Sequence, residues 1–398
     1  MEINVNKPKL ISISHLECSN CLETYSANAL MNLCPHCGKP FFVRYDLEAV
    51  KKNVNRDGIS TREPTLWRYE EILPIMNIIH KISLGEGFTP LIKAHRLGEL
   101  LNLKNLYIKN ESQNPTGSFK DRGMSVAVSR AIELGISKFC IPSAGNAASS
   151  LSAYAALSGT QAHVFMPEDV SRIFITECKN AGASVTLVKG TIADAGIIAA
   201  EFVEESNSFN ISTLREPYRL EGKKTMGYEI AEQLGWKLPD VIIYPTGGGT
   251  GLVGMWKSFD EMEKLGWIDE RRPRMVAVQS TGCAPIVEAF NNKFNAASPW
   301  KNAKTIAEGL RVPSAVGDFL ILKALYESEG IAISVDDKEI IHSIKIFGHY
   351  LGILPSPEGA ATLAALNKLL KIDWIKPEQL IVLFQTGTGL KYTHLLNN

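Results

Sequence analysis

An excess of charge of either sign is missing from this chain: 42 lysines and arginines balance 42 aspartates and glutamates. With neither a basic nor an acidic excess there is no electrostatic case for nucleic acid or a membrane surface as the main partner, so small molecules are the expected ligands. Long hydrophobic runs are missing too. No apolar stretch is long enough to cross a bilayer, and the start, MEINVNKPKLISIS, lacks the charged-then-apolar pattern of a secretory signal. The expectation is a cytoplasmic protein with no membrane partner. Cysteine is scarce, seven in 398 residues, which excludes a disulfide scaffold. Neither a long repeat nor a low-complexity segment interrupts the chain, and its length allows two or three domains with a sizeable core.

The few cysteines are clustered. Cys18-Ser19-Asn20-Cys21 and Cys34-Pro35-His36-Cys37 are two C-x-x-C pairs separated by a loop, a spacing that can bring four thiolates to one tetrahedral zinc. Gly38, just after the second pair, lets the backbone turn tightly towards the metal. Residues 1–45 are therefore expected to form a small zinc-ribbon-like element, with Cys18, Cys21, Cys34 and Cys37 as ligands and His36 a bystander. Few basic residues lie between His15 and Tyr45, so the ribbon reads as structural rather than nucleic-acid-binding. No partner pattern surrounds Cys140, Cys178 or Cys283.

Between residues 46 and 81 the pattern is mixed. A short helix is expected at Leu47 to Asn53, a turn at Arg56-Asp57-Gly58, and helical spacing from Trp67 to His80, broken by Pro74. From Leu106 onward strands and helices alternate. Apolar runs at Lys138 to Pro142, Ala162 to Met166 and Ser184 to Val188 are separated by helical stretches at Ala148 to Leu157, Ile173 to Asn180 and Asp194 to Glu205. The runs resume at Val241 to Tyr244, Met275 to Gln279 and Leu380 to Gln385. Such alternation means parallel sheets covered by helices, and ligands then sit where strand C-termini meet helix N-termini.

Four loops occupy such positions. In Asn114-Pro115-Thr116-Gly117-Ser118-Phe119-Lys120, Lys120 stands near a turn ahead of a helix expected over Ser125 to Leu134. A cation there opposes the helix dipole, which favours the neutral, nucleophilic amine. Ser143, Ala144, Gly145, Asn146 and Ala147 open a helix whose free N–H groups suit an anion such as a carboxylate. Thr246-Gly247-Gly248-Gly249-Thr250-Gly251 precedes a helix at Leu252 to Glu263, and its glycines let backbone approach a phosphate closely; no lysine follows at the P-loop offset. Gln385-Thr386-Gly387-Thr388-Gly389-Leu390-Lys391 follows the last strand. Taken singly, each has a plainer reading: a surface lysine, a helix cap, a tight turn.

Together they carry a resemblance. NPTGSFKDRGM resembles the Schiff-base segment of the fold-type II pyridoxal phosphate (PLP) enzymes, and the TG-x-GLK near the end is similar to that of the threonine synthase family within them. The glycine-rich loop and the Leu84 to Leu91 segment (LGEGFTPL) fit the same pattern. The resemblance implies two open α/β domains with the cofactor in the cleft, the larger formed by residues 46–124 and 216–398 and the smaller by 125–215. It implies Lys120 as the Schiff-base lysine and catalytic residue, Gly247, Gly248, Gly249, Thr250 and Gly251 around the cofactor phosphate, Asn146 beside the cofactor's 3-hydroxyl and Thr386 against its pyridine nitrogen. The Ser143–Ala147 loop becomes the substrate carboxylate site. A homodimer is implied as well. The reaction would convert O-phosphohomoserine and water to L-threonine and phosphate, by γ-elimination and β-addition.

Ser118, Arg172, Lys223 and Lys224 are candidates by position for the substrate phosphate. Glu308 and Tyr392 depart from the family pattern, in stretches where AIRIGNP and an Asp after GLK are usual. These departures leave open a β-replacing or eliminating PLP enzyme, either a serine/threonine dehydratase or an O-phosphoserine-using synthase such as cysteate synthase. A non-catalytic module on the same fold is the third reading.

Overall fold

A computed structural model describes residues 12–396 and distributes its strands among three sheets. The first is the ribbon, in which β1 (Ile13–Cys18) pairs antiparallel with β2 (Thr24–Ser26) and with β3 (Phe41–Tyr45). Leu16, Cys18, Cys34, Phe41 and Val43 share one apolar core with Met124, Val128 and Phe139 of the body. At roughly 1.5–3 kcal/mol for each large apolar side chain fully buried, this holds the ribbon against the body as packed structure.

The chain then lays down β4 (Leu91–Lys93) and β5 (Asn105–Asn110) and leaves for a second sheet of β6 (Lys138–Pro142), β7 (Gln161–Pro167), β8 (Ser184–Val188) and β9 (Phe209–Asn210). It returns with β10 (Val241–Pro245), β11 (Arg274–Ser280), β12 (Ile331–Val335) and β13 (Leu380–Gln385). The larger sheet runs β12-β11-β10-β13-β5-β4, parallel except for β4 at its edge; the smaller runs β8-β7-β6-β9, all parallel. Strands buried on both faces explain the continuous apolar runs. Ile242, Tyr244, Val382 and Phe384 face one core, while Val241, Ile243, Ile381 and Leu383 face the other.

Helices Lys120–Glu133 and Tyr218–Gln233 run past one another along the join between the two sheets. They meet at glycine: a Cβ on Gly222 would overlap the Arg122 carbonyl oxygen, and one on Gly123 would lie 2.9 Å from that of Arg219. Around this crossing Arg122 binds Glu111 (2.6 Å) and Glu229 (2.5 Å), and Lys109 of β5 binds Glu229 at 2.8 Å, all fully buried. Two sequence expectations change here. The helix begins at Lys120 rather than Ser125, and the stretch from Trp67 to His80 holds only short 3₁₀ turns, Leu66–Ile72 and Ile78–His80. Pro74 supplies no amide donor and restricts its predecessor, so no α-helix continues through it.

Candidate active site

Lys120 is the first residue of its helix, and the loop before it is zipped to the loop after β13. Ser118 and Gly387 form an antiparallel bridge, Phe119 N donates to Thr386 O (3.0 Å) and Thr388 N donates to Gly117 O (2.8 Å). Gly117 makes the turn at φ +77°, with the Thr388 methyl 2.7 Å from where a Cβ would sit, so a larger residue is barred twice over. Lys391 closes the zip by donating to Thr116 O at 2.8 Å. The Lys120 amine lies 4.1 Å from the centre of the Phe119 ring. Burial pushes it down to about 7, helped by the nearby Arg219 charge and opposed by Glu358.

Asn146 starts the next helix of the cleft, Asn146–Ser158, at the end of the Ser143–Ala147 loop. Its Nδ2 stands 3.4 Å from the Tyr392 hydroxyl, and a Cβ placed on Gly387 would lie 3.5 Å from the same nitrogen. Lys120 and Thr386 are thereby brought together by two interlocked loops, and Asn146 meets the second of them from the head of its own helix. Asn146 Oδ1 is buried with no hydrogen-bond partner. Tyr392 is held far above the usual phenol range by burial and then by Glu358 and Glu308, so it is a neutral O–H. Thr386 is buried.

Gly247, Gly248 and Gly249 follow β10 and feed the helix Thr250–Lys264, with Gly249 at φ +73° as its cap. Each is tightly enclosed. A Cβ on Gly247 would overlap Gly309 O, one on Gly248 would lie 2.9 Å from the Thr213 methyl, and one on Gly251 would overlap the Tyr244 hydroxyl. The result is a bare-backbone cradle at a helix N-terminus, the arrangement that receives a phosphate.

One group of charged residues was not visible in the loops. Lys223 and Arg219 lie on the helix Tyr218–Gln233, both with no exposed surface. Arg219 Nη1 donates to Ile211 O (2.8 Å), but its Nε and Nη2 have no partner, and neither has Lys223 Nζ, 5.1 Å from the Phe119 ring centre. Burial, then Arg219 and Lys120, hold the Lys223 amine well below its ordinary value; burial brings Arg219 down to about 10 against Glu216. Glu216 is itself raised to about 7 by burial, so near neutrality it is only about half ionised and offsets part of this charge. A buried guanidinium with two unpaired nitrogens, beside an unpaired amine that an anion would help to protonate, suits an anion. Of the other phosphate candidates, Lys224 is consumed by Glu221 (2.7 Å) and Glu261 (2.9 Å), Arg172 is exposed, and the Ser118 hydroxyl accepts from Lys120 N at 3.3 Å. Burial raises the Glu308 carboxyl to about 7, opposed by the Arg311 charge and reinforced by Glu358 and Asp169.

In the ribbon, the sulfurs of Cys18, Cys21, Cys34 and Cys37 all lie within 4.8 Å of one another, with Cys18–Cys37 at 3.4 Å and Cys21–Cys34 at 3.6 Å. Against burial, the amides of Cys37 and His36 hold Cys34 down; the Cys18 thiol and the Lys39 amide bring Cys37 to about 7. Four convergent thiols, two of them inclined to ionise, fit a tetrahedral metal. Cys140, Cys178 and Cys283 are buried free thiols elsewhere.

The fold and the cleft define a class. Residues 82–387 match the family described as pyridoxal-phosphate dependent enzyme, and the chain belongs to that family. Within it, the chain is 40% identical to the threonine synthase of Methanocaldococcus jannaschii, covering 94% of this chain and 92% of that protein. It is 35% identical to the threonine synthase of Methanosarcina acetivorans over 95% and 92% of the two. Among solved structures it shares the fold-type II α/β architecture of the processed form of threonine deaminase isoform 2 from Solanum lycopersicum, with a TM-score of 0.67, 21% identity and coverage of 92% and 96%. Maize serine racemase gives a TM-score of 0.66 at 23% identity, covering 77% of this chain and 92% of that one.

Proposed function

We propose that this protein is a threonine synthase, a PLP-dependent lyase that converts O-phosphohomoserine and water to L-threonine and phosphate. The observation that carries the reading is the pairing of a buried, easily deprotonated Lys120 with a second anion-seeking pair, Arg219 and Lys223, in one cleft. The similarity to threonine synthases over nearly the whole chain supports it.

The cleft fits the cofactor on its own features, the bare-backbone cradle and the unpartnered Asn146 Oδ1. Gly247, Gly248, Gly249, Thr250 and Gly251 would hold the PLP phosphate, Asn146 the 3-hydroxyl, Thr386 the pyridine nitrogen, and Lys120 the aldehyde carbon. Bound there, PLP draws electrons from the substrate's α-carbon, which makes protons at Cα and Cβ removable. Lys120, as the free amine, takes and returns those protons, and its position at the head of a helix fixed by the loop zip keeps the amine over one face of the substrate. The N–H groups at the head of the helix Asn146–Ser158 bind the substrate carboxylate. Arg219 and Lys223 take the substrate phosphate and stabilise its charge as the Cγ–O bond breaks and the oxygen keeps the electron pair. Water then adds its hydroxyl at Cβ, and Cγ, having gained a proton, becomes the methyl group of threonine. Thr386 is neutral, so it cannot stabilise a protonated pyridine as a carboxylate would, which favours elimination and replacement over transamination.

The proposal includes one structural zinc on Cys18, Cys21, Cys34 and Cys37, a homodimer and a cytoplasmic location; among the described residues no helix is long and apolar enough to cross a membrane. Metal analysis finding no zinc in the purified protein would remove the first of these. The function is tested by incubating the PLP-loaded protein with O-phosphohomoserine and measuring phosphate and threonine together. Equal amounts of both, absent in Lys120→Ala, are expected. Phosphate accompanied by 2-oxobutanoate, or no turnover, would instead favour an eliminating or β-replacing enzyme.

A further inference from the structure

We propose that Asn32, in the ribbon loop between the two cysteine pairs, is a positioning residue for the anion end of the cleft. It would act through the loop formed by residues 211–215. The inference rests on the reading of Arg219 and Lys223 as the anion site, and it gives the ribbon a part in substrate binding beyond holding a metal.

Asn32 Nδ2 donates to two carbonyls at once, Asn210 O at 2.8 Å and Arg215 O at 3.0 Å. Those carbonyls stand at opposite ends of the loop, so one amide group, with its two hydrogens, staples the loop shut from outside. The loop needs a constraint. Leu214 sits at φ +56°, a left-handed conformation that a non-glycine residue keeps only where its surroundings hold it. Inside, Arg215 N donates to Ser212 O at 3.1 Å, while Ser212 N and Oγ donate to Asn210 Oδ1 at 3.0 and 2.6 Å; these bonds tie the first half of the loop, and the staple alone reaches across to Arg215 O.

What the loop carries explains why its shape matters. Ile211 O accepts the 2.8 Å bond from Arg219 Nη1 that aims the rest of the guanidinium. The Thr213 methyl abuts Gly248 of the phosphate cradle, and Leu214 packs under Gly317. A shift of the loop therefore moves an anion ligand and the wall of the cradle together. The ribbon is a firm anchor for the staple: Cys18 and Cys34 are buried in the shared core, Arg130 Nη2 donates to Ala27 O at 2.7 Å, and Tyr45 OH donates to Glu221 at 2.8 Å. Its two hydrogen bonds go to Asn210 and Arg215, neither of them assigned to cofactor or substrate, so its effect is indirect.

The test uses the zinc- and PLP-loaded protein, calorimetric binding of inorganic phosphate, and KM and kcat for O-phosphohomoserine. In Asn32→Ala the phosphate dissociation constant and KM should rise at least about fivefold, the lower end of ordinary coupling between sites, with kcat, zinc content and cofactor absorbance little changed. Arg219→Gln serves as the reference. If Arg219→Gln weakens phosphate binding and Asn32→Ala does not, the staple is refuted and the anion site stands. If Arg219→Gln itself leaves phosphate binding unchanged, the anion site is wrong and the inference falls with it. Should Asn32→Ala shed its zinc, Asn32→Asp, the same size without the N–H donors, decides by the same criteria.

Discussion

Lys120 owes its chemistry to where its chain ends rather than to its neighbours in sequence. The helix start by itself favours the neutral amine, but burial is the largest cause in the fold and the Arg219 charge the second. The sign gives a test in the cofactor-free protein. With the amine at about 7, the reactive free base is half populated near that pH and falls about tenfold for each unit below it. The second-order rate of PLP uptake, followed by absorbance, should therefore rise through pH 7 and level off above, and Lys120→Ala should show no such covalent phase. A midpoint near 10, the value for an exposed lysine, would mean that the amine is solvated in solution. Lys120, Asn146 and Thr386 were legible because each stands in a short Gly-rich loop between a strand and a helix. Arg219 and Lys223 were harder to read: Lys223 came out only as one candidate among four and Arg219 not at all. Both lie within a 16-residue helix whose sequence YRLEGKKTMGYEIAEQ looks like a solvated face, and only the tertiary packing buries it.

At the scale of elements, the site depends on how closely two helices approach. Gly222 lies against the Arg122 carbonyl, and backbone has no flexible end that could yield to a methyl group. Gly222→Ala should therefore push apart the helices that carry Lys120 and Lys223, costing about 1–3 kcal/mol. Gly196 is the contrast. It lies in the helix Ile192–Ser206 with nothing within 4 Å of an added Cβ, so Gly196→Ala should be neutral or stabilise by up to about 1 kcal/mol through helix propensity. Thermal unfolding of the two variants checks the pair; equal melting temperatures would show that the crossing is not tight. The elements themselves were largely readable where strands are buried on both faces, since β6, β8 and β13 have the bounds of their apolar runs. β12 escaped although Gly330 and Asp336 bracket it, because Ile331–Val335 is only five residues long and includes Ala332 and Ser334, and β9 is only two residues long. The ribbon strands were implied only through the cysteines, as short edges give little periodicity.

The whole molecule is tied together by buried charge. From the helix Tyr218–Gln233, Glu229 reaches Lys109 on β5 and Arg122 on the helix behind Lys120; from the helix Thr250–Lys264, Glu261 reaches Lys224 and Lys257. Sequence could not foresee these pairs, because the partners stand more than a hundred positions apart in the case of Glu229 and charged residues are read as surface by default. Against the cost of burial, Arg122 and Lys109 hold Glu229 at about 2, and Lys224 and Lys257 do the same for Glu261. A carboxylate depressed in the folded state binds fewer protons there than in the unfolded chain. Its stabilising contribution is therefore complete above the ordinary value of 4.5 and is lost as pH falls towards 2. For Glu229 the contribution is on the order of 3 kcal/mol. Glu229→Gln should destabilise the protein by about 3–5 kcal/mol at neutral pH, since it leaves Lys109 and Arg122 short of a partner. The gap to the unsubstituted protein should then narrow as pH drops from 4.5 towards 2, where Glu229 gains its own proton and comes to resemble the glutamine. Denaturant titrations of both proteins across that range measure the gap directly. A gap that stays constant down to pH 2 would show that Glu229 takes up its proton at the same pH folded and unfolded, and that the loss in the variant comes from packing rather than charge.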